Sequence, residues 1–225
     1  MTKAQFLRLE QYMGACMQDS AHDKEHVYRV LYTALDIAAH EPAADPDVLI
    51  AACVLHDIGR QAQYDDPTVC HAEAGAAQAY SYLVSEGYEE AFAKHVADCI
   101  QTHRFRKHAP PATLEAKILF DADKLDAAGL MGIARTLLYN GKMEEPLYSL
   151  TPGGSVSDGR EDRKPSFLQE YTYKLEHIYD RFLTCRGRAL AEARKTAAKA
   201  FYENLLAEAR SAYSGKERLF TDFLK

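Results

Sequence analysis

An all-α fold, one single-domain helical bundle with a polar site in its core, is what this sequence predicts. Apolar residues recur at helical spacing nearly throughout, and strand-like alternation is almost absent. Neither an internal repeat nor a domain-scale change of composition divides the chain. A length of 225 residues can bury a substantial core as one large domain or two small ones, and the even composition selects one.

The elements follow in order. Met1–Met17 is amphipathic, with Phe6, Leu9, Tyr12, Met13 and Cys16 on one stripe; it does not read as a signal peptide. Val27, Val30, Leu31, Ala34, Ile37 and Ala38 mark the next helix. Asp45-Pro46 opens a third, an N-cap side chain followed by a proline at the first position. That helix is expected to run to about Ile58 and stop at Gly59. Further helices are expected at about Val69–Glu86, Tyr88–His103, Thr113–Leu125 and Gly129–Tyr139, with Gly87 as a C-terminal glycine. Ser166-Phe-Leu-Gln169 is a capping-box pattern that opens a helix to about Leu183. A long Ala/Arg/Lys-rich helix, about Gly187–Ser211, precedes a short tail helix after Gly215. Residues 141–165 are polar, rich in Gly and Pro and without periodicity: a flexible loop, either functional or disordered.

The formal net charge of −6 argues against a polymeric nucleic acid as partner, and no run approaches the ~18 apolar residues of a membrane span. The five cysteines form no zinc-finger spacing, and Cys53 and Cys99 read as small core residues. An odd count without a secretory leader fits a reducing compartment, the cytoplasm.

His56-Asp57, at the end of the apolar run Val48–Leu55, carries the chemistry. An adjacent imidazole and carboxylate can chelate one divalent metal ion. His26, beside the stripe Val27-Val30-Leu31, and Asp121, after Ile118-Leu119-Phe120, join hydrophobic stripes in the same way. A carboxylate there is costly unless it is paired or metal-bound. Two imidazoles and two carboxylates suit Mn²⁺, Fe²⁺, Co²⁺, Ni²⁺ or Zn²⁺; Mg²⁺ prefers all-oxygen surroundings. An ion that prefers six ligands keeps two positions open here for water or substrate.

The order His26, His56-Asp57, Asp121 resembles the HD superfamily of metal-dependent phosphohydrolases. The segments HDKEHVYRV, ACVLHDIG, HRF, LFDADKLDAAGLMGIAR and KLEHIYDRFLTCRGRALAEAR resemble its bacterial YedJ/YpgQ-like subgroup, from about His22 to Ala207. The resemblance implies an HD core at about 20–140, with C-terminal helices at 166–225 packing on it. It makes His26, His56, Asp57 and Asp121 ligands of one divalent ion. It implies hydrolysis of a small phosphorylated molecule, most simply a nucleotide that releases phosphate or pyrophosphate. Asp57 is the expected proton acceptor.

His71 and His103 stand where many HD proteins place additional histidines. They could contact phosphate, shuttle protons or help hold a second metal; without an adjacent His-His pair, one metal is the expectation. Lys124 and Asp126 are candidates for a phosphate contact and for orienting water or a ligand histidine. Arg60 and Arg135 are the first choices for substrate charge. Arg29, Arg104, Arg106, Lys174, Arg186 and Arg188 are further cations, and Tyr139 and Tyr148 are stacking candidates. His22 and Asp23 read as a helix-start turn, and His40, His95, His108 and His177 as surface or boundary residues. Tyr171, Tyr173 and Tyr179 read as packing. Two other functions use the same skeleton, a non-catalytic metal- and nucleotide-binding regulator and a di-iron oxidative enzyme. A homodimer is compatible with the sequence.

Overall fold

The structure, a computed structural model, describes residues 1–17, 24–104 and 110–224. It is all-α, as predicted. Among the described residues the one β feature is an isolated antiparallel bridge between Leu150 and Val156, and no helix is long and apolar enough to cross a membrane. Contacts divide the chain into two compact units, Met1–Asp126 with Phe182–Arg188, and Ala127–Arg181 with Ala189–Lys225.

The first unit contains α1 (Lys3–Cys16), α2 (Lys24–Ala38), α3 (Pro46–Leu55), α4 (Arg60–Asp65), α5 (His71–Ser85), α6 (Glu90–Thr102) and α7 (Leu114–Asp126). A capping box at Thr2 and Gln5 starts α1. Asp45 starts α3 by accepting the Asp47 and Val48 N–H groups. Val48, Leu49, Ala51, Ala52, Cys53, Val54 and Leu55 are all buried, so α3 is apolar on every face. It is the central helix, packed against α1, α2, α6 and α7.

The helix ends at Leu55 rather than Ile58. His56–Gly59 is a turn in which the Arg60 N–H donates to the Asp57 carbonyl at 3.1 Å, and the short α4 follows it. Gly59 is required because the chain crosses α5 there: a Cβ at this position would lie 2.3 Å from the His71 carbonyl and 2.4 Å from the Gly75 nitrogen. Two glycines meeting backbone to backbone thus bring the His56-Asp57 turn against the start of α5. Gly87 follows α5 at φ 83°, the left-handed end expected of it.

Asp121, on α7, anchors the segment Phe182–Arg188. Its carboxylate accepts the Leu183 N–H at 2.8 Å, the Thr184 N–H at 2.7 Å and the Thr184 hydroxyl at 2.7 Å. Thr184 in turn accepts the Gly187 N–H at 2.9 Å, so these bonds start α10 (Cys185–Tyr213). Burial raises the Asp121 carboxyl above its ordinary value, and the bonds from Leu183 and Thr184 oppose that rise.

In the second unit α8 (Gly129–Lys142) precedes the loop, and α9 (Phe167–Glu170) opens at Ser166, whose hydroxyl accepts the Gln169 N–H at 3.2 Å. The expected helix to Leu183 is broken. A π turn at Tyr171–Leu175 and a 3₁₀ turn at Ile178–Arg181 replace it. Tyr171, Thr172 and Leu175 are buried there, and Tyr171 stacks on Tyr202 with ring centroids 4.4 Å apart. Tyr179 is buried and accepts the Gly129 N–H at 3.0 Å, whereas Tyr173 is exposed.

The loop 143–165 is tied by its own polar groups. Ser149 and Ser157 both donate to Asp162, at 2.6 and 2.7 Å, and Tyr202 donates to the Asp158 carbonyl at 2.7 Å. A groove of about 580 Å³ lies along it, lined by Arg160, Arg163, Lys164 and Arg210 among others. The tail comprises α11 (Gly215–Arg218) and a π turn at Leu219–Phe223.

Two substitutions test this packing. Gly59→Ala must push α5 away from the turn and is expected to destabilise the protein by about 1–3 kcal/mol in denaturant titration. Asp121→Ala leaves the buried Thr184 N–H without its acceptor, at about 1–3 kcal/mol, so a lowered melting temperature is expected with bound-metal content unchanged.

Candidate metal centre

Four imidazoles converge in the first unit, each aimed by what its Nδ1 touches. His26 Nδ1 lies 2.7 Å from Asp126 Oδ2, His56 Nδ1 2.7 Å from the Cys53 carbonyl and His103 Nδ1 2.6 Å from the Ile100 carbonyl. His71 Nδ1 meets the Gln63 side-chain oxygen. Every one of these partners accepts, so each ring donates from Nδ1 and turns Nε2 toward the centre. Sequence position explains the aim. His56 and His103 sit just past the ends of α3 and α6, each within reach of the carbonyl three residues back.

The Nε2 atoms surround Asp57. Its Oδ2 lies 3.5 Å from His26 Nε2 and 3.6 Å from His56 Nε2. Its Oδ1 lies 3.5 Å from His71 Nε2 and 3.7 Å from His103 Nε2. Asp123 Oδ1 completes the first side, 3.3 Å from His26 Nε2 and 4.0 Å from His56 Nε2. Among the described residues two sets bring their ligand atoms within 4.8 Å of one another: His26, His56 and Asp123, and Asp57, His71 and His103. Ligands about 2.1 Å from one ion sit roughly 3.0–3.4 Å apart, so the spacing is close to what an ion would draw in.

The donor set fits such an ion. Asp57 Oδ1, His71 Nε2 and His103 Nε2 are buried without a hydrogen-bond partner, which costs about 1–3 kcal/mol for each group unless something fills the space between them. The electrostatics favour positive charge there. Burial opposes ionisation of Asp57, yet His56 and Arg60 hold its carboxyl well below the usual range. Asp123 is likewise held low against burial, chiefly by His26. Burial would also lower the His26 imidazole, but bonds with Asp123, Asp126 and Asp57 push it up to about 11. His56 and His71 are driven down to about 4 and about 3, first by burial, so they are neutral donors at physiological pH.

One expected ligand is not among them. Asp121 is turned to Leu183 and Thr184, and Asp123 occupies the place beside His26 and His56. The two carboxylates are two residues apart on α7 and project about 200° apart, so only one can face the histidines. A signal was there: Asp123 and Asp126, three apart, share a face, and both address the His26 ring.

The remaining expected residues divide. Asp126 is buried and bonds His26. Arg60 is about a third exposed, with Nε 2.9 Å from Asp57 Oδ2. Lys124, partly exposed, lies over the Phe120 ring at 4.1 Å. Arg104 is partly exposed and near enough to His71 to lower its basicity. Arg186 is paired with Asp36 at 2.9 Å, and Arg188 donates to the Phe182 and Leu183 carbonyls. Arg135, Lys174, Tyr139 and Tyr148 belong to the second unit, where Lys174 pairs with Glu170 and Tyr148 meets Tyr213 edge to face. His40 and His177 are exposed, whereas His95 is half-buried, 3.1 Å from buried Glu115. His22, Asp23, Arg106 and His108 lie outside the described residues.

Comparison with known proteins relates this chain to a known family. The HD domain family model matches residues 24–128, the stretch that supplies all six ligand candidates. The chain is 29% identical to Bacillus subtilis YpgQ over 181 residues, 79% of each protein. The structure of YpgQ in complex with ADP is similar at a TM-score of 0.69 and 26% identity, covering 89% of this chain and 97% of that one. An HD superfamily hydrolase from an uncultured Thermotogales bacterium is 30% identical, covers 92% of each chain and has a TM-score of 0.61. The chain belongs to the HD superfamily of hydrolases.

Proposed function

We propose that the first unit's cluster holds two divalent cations bridged by Asp57 and hydrolyses a phosphate ester or anhydride, with nucleotides the foremost substrates. The observation that carries this reading is Asp57 itself, buried, with one oxygen toward the His26 and His56 Nε2 atoms and the other toward those of His71 and His103. His26, His56, Asp123 and Asp57 Oδ2 would hold one ion, and His71, His103 and Asp57 Oδ1 the second. A single ion uses only the first set and leaves three buried atoms unpartnered. When bound, such ions acidify a water and polarise a phosphoryl oxygen, and the mixed N/O donors suit Mn²⁺, Fe²⁺, Co²⁺, Ni²⁺ or Zn²⁺.

The chain's own groups do the rest. Asp57, with both oxygens among histidines, holds position and does not take up protons. Asp123 is about a quarter exposed where the other ligands are buried, so it is the carboxylate that an attacking water reaches. Arg60, with Nε 2.9 Å from Asp57 Oδ2, and the partly exposed Lys124 and Arg104 would meet phosphate charge. The ADP bound by YpgQ supports a nucleotide as substrate class. The reading covers both phosphate release from monophosphates and pyrophosphate release from triphosphates.

Elemental analysis of protein loaded with Mn²⁺ or Co²⁺ is expected to give two ions per chain. His71→Ala and His103→Ala each should leave one, and Asp57→Ala should weaken both sites; one ion in the unaltered protein overturns the bridged reading. A nucleotide panel assayed for phosphate and pyrophosphate is expected to give turnover that Asp57→Ala and Asp123→Ala abolish and Asp121→Ala does not. Binding without turnover would favour a regulator, and two irons with oxygen consumption would favour an oxidative enzyme.

A further inference from the structure

His26 differs from the other three imidazoles in its Nδ1 partner. His56 and His103 donate to backbone carbonyls and His71 to an amide oxygen, all neutral; His26 donates to a buried carboxylate, Asp126. That carboxylate is gripped in turn by Arg29, with Nε 2.6 Å from Oδ1 and Nη2 3.1 Å from Oδ2. The four residues form a lattice across two packed helices. His26 and Arg29 are three apart on α2, Asp123 and Asp126 are three apart on α7, and each pair lies on one face. Asp123 meets His26 from the Nε2 side and Asp126 from the Nδ1 side.

We propose that Arg29 is a positioning residue for the metal centre: its guanidinium locks Asp126 in the one orientation that keeps the His26 Nε2 lone pair aimed between Asp57 and Asp123. This rests on the reading that the cluster holds metal. Two physical effects require the arginine. The buried carboxylate behind His26 is a third negative group near Asp57 and Asp123, and the guanidinium offsets its charge. A fork of two N–H groups, one to each carboxylate oxygen, also resists rotation of the carboxylate about χ2 and of the imidazole with it. Arg29 itself is about a third exposed and outside the ligand set, so it acts through Asp126.

The test is ion affinity. Mn²⁺ binding to the full-length protein, read by calorimetry or electron paramagnetic resonance, is expected to weaken on the order of 10- to 100-fold in Arg29→Met at the site containing His26. Arg29→Lys keeps the charge and loses the fork, so an intermediate loss is expected. Asp126→Asn should weaken binding as well, and Arg29→Met combined with Asp126→Asn should be no worse than Asp126→Asn alone, since one residue works through the other. The visible absorption of the Co²⁺ protein should change in the same variants. Unchanged affinity in folded Arg29→Met, or strictly additive losses in the double variant, overturns the proposal. A merely structural arginine would lower the melting temperature and leave affinity and absorption alone. Should Arg29→Met fail to fold, unchanged affinity in Arg29→Lys overturns it equally. If the unaltered protein binds no ion, the metal reading itself fails.

Discussion

A fully buried carboxylate is the constraint on which the first unit is built. Moving an ion the size of the Asp57 carboxylate out of water costs several kcal/mol even after the surroundings relax. A helical core can hold it only if positive or donating groups reach both oxygens. Four imidazoles and Arg60 do so, drawn from α2, α4, α5 and the ends of α3 and α6. The central α3 must therefore end where it does. One more helical turn would keep His56 and Asp57 on the helix surface; the break at Leu55 instead delivers both into the space between α2, α5, α6 and α7. The contact between Gly59 and Gly75 serves the same end, because any larger pair would hold His71 away from Asp57 Oδ1.

Charge balance explains why neutral and charged acceptors are used unequally. Asp57 and Asp123 already give the centre two negative charges, which attract a cation but repel each other. Backbone carbonyls and an amide aim three of the rings without adding charge. Where a carboxylate is used, behind His26, a guanidinium accompanies it. The centre thus carries the charge of Asp57 and Asp123 without a further uncompensated carboxylate.

Much of this was legible in the sequence, because the fold is written in periodicity and the ligands interrupt it. The all-apolar Val48–Leu55 run marks a central helix, and His26, His56 and Asp57 stand where a polar group has no business unless it is bound. By local pattern His71 and His103 read as histidines at helix boundaries, and only the family resemblance marked them as candidates. That both face the second oxygen of Asp57 depends on how α5 and α6 pack, and no local pattern encodes that. The same holds after Ser166. The capping pattern is real, but the continuous helix it suggested gives way to a π turn and a 3₁₀ turn, and no residue pattern in Tyr171–Arg181 marks that break. The order of the loop 143–165 was hidden for a similar reason, since Asp162 is satisfied by serines five and thirteen residues away.

The choice between Asp121 and Asp123 is the sharpest case. Both carboxylates lie on α7, both follow the apolar run at Phe120, and a spacing rule alone cannot rank them. Helical geometry can. The α7 face that holds His26 is defined by Asp123 and Asp126 together, since residues three apart are neighbours, and the face about 200° away is left to Asp121. There, the N–H groups of Leu183 and Thr184 need an acceptor as α10 begins, and a buried carboxylate is a strong one. One helix thus anchors the returning chain on one side and supplies the metal centre on the other. The two tasks separate because they depend on different carboxylates facing different partners: losing Asp121 weakens the join without touching the histidine cluster, and losing Asp123 opens the cluster while the join persists.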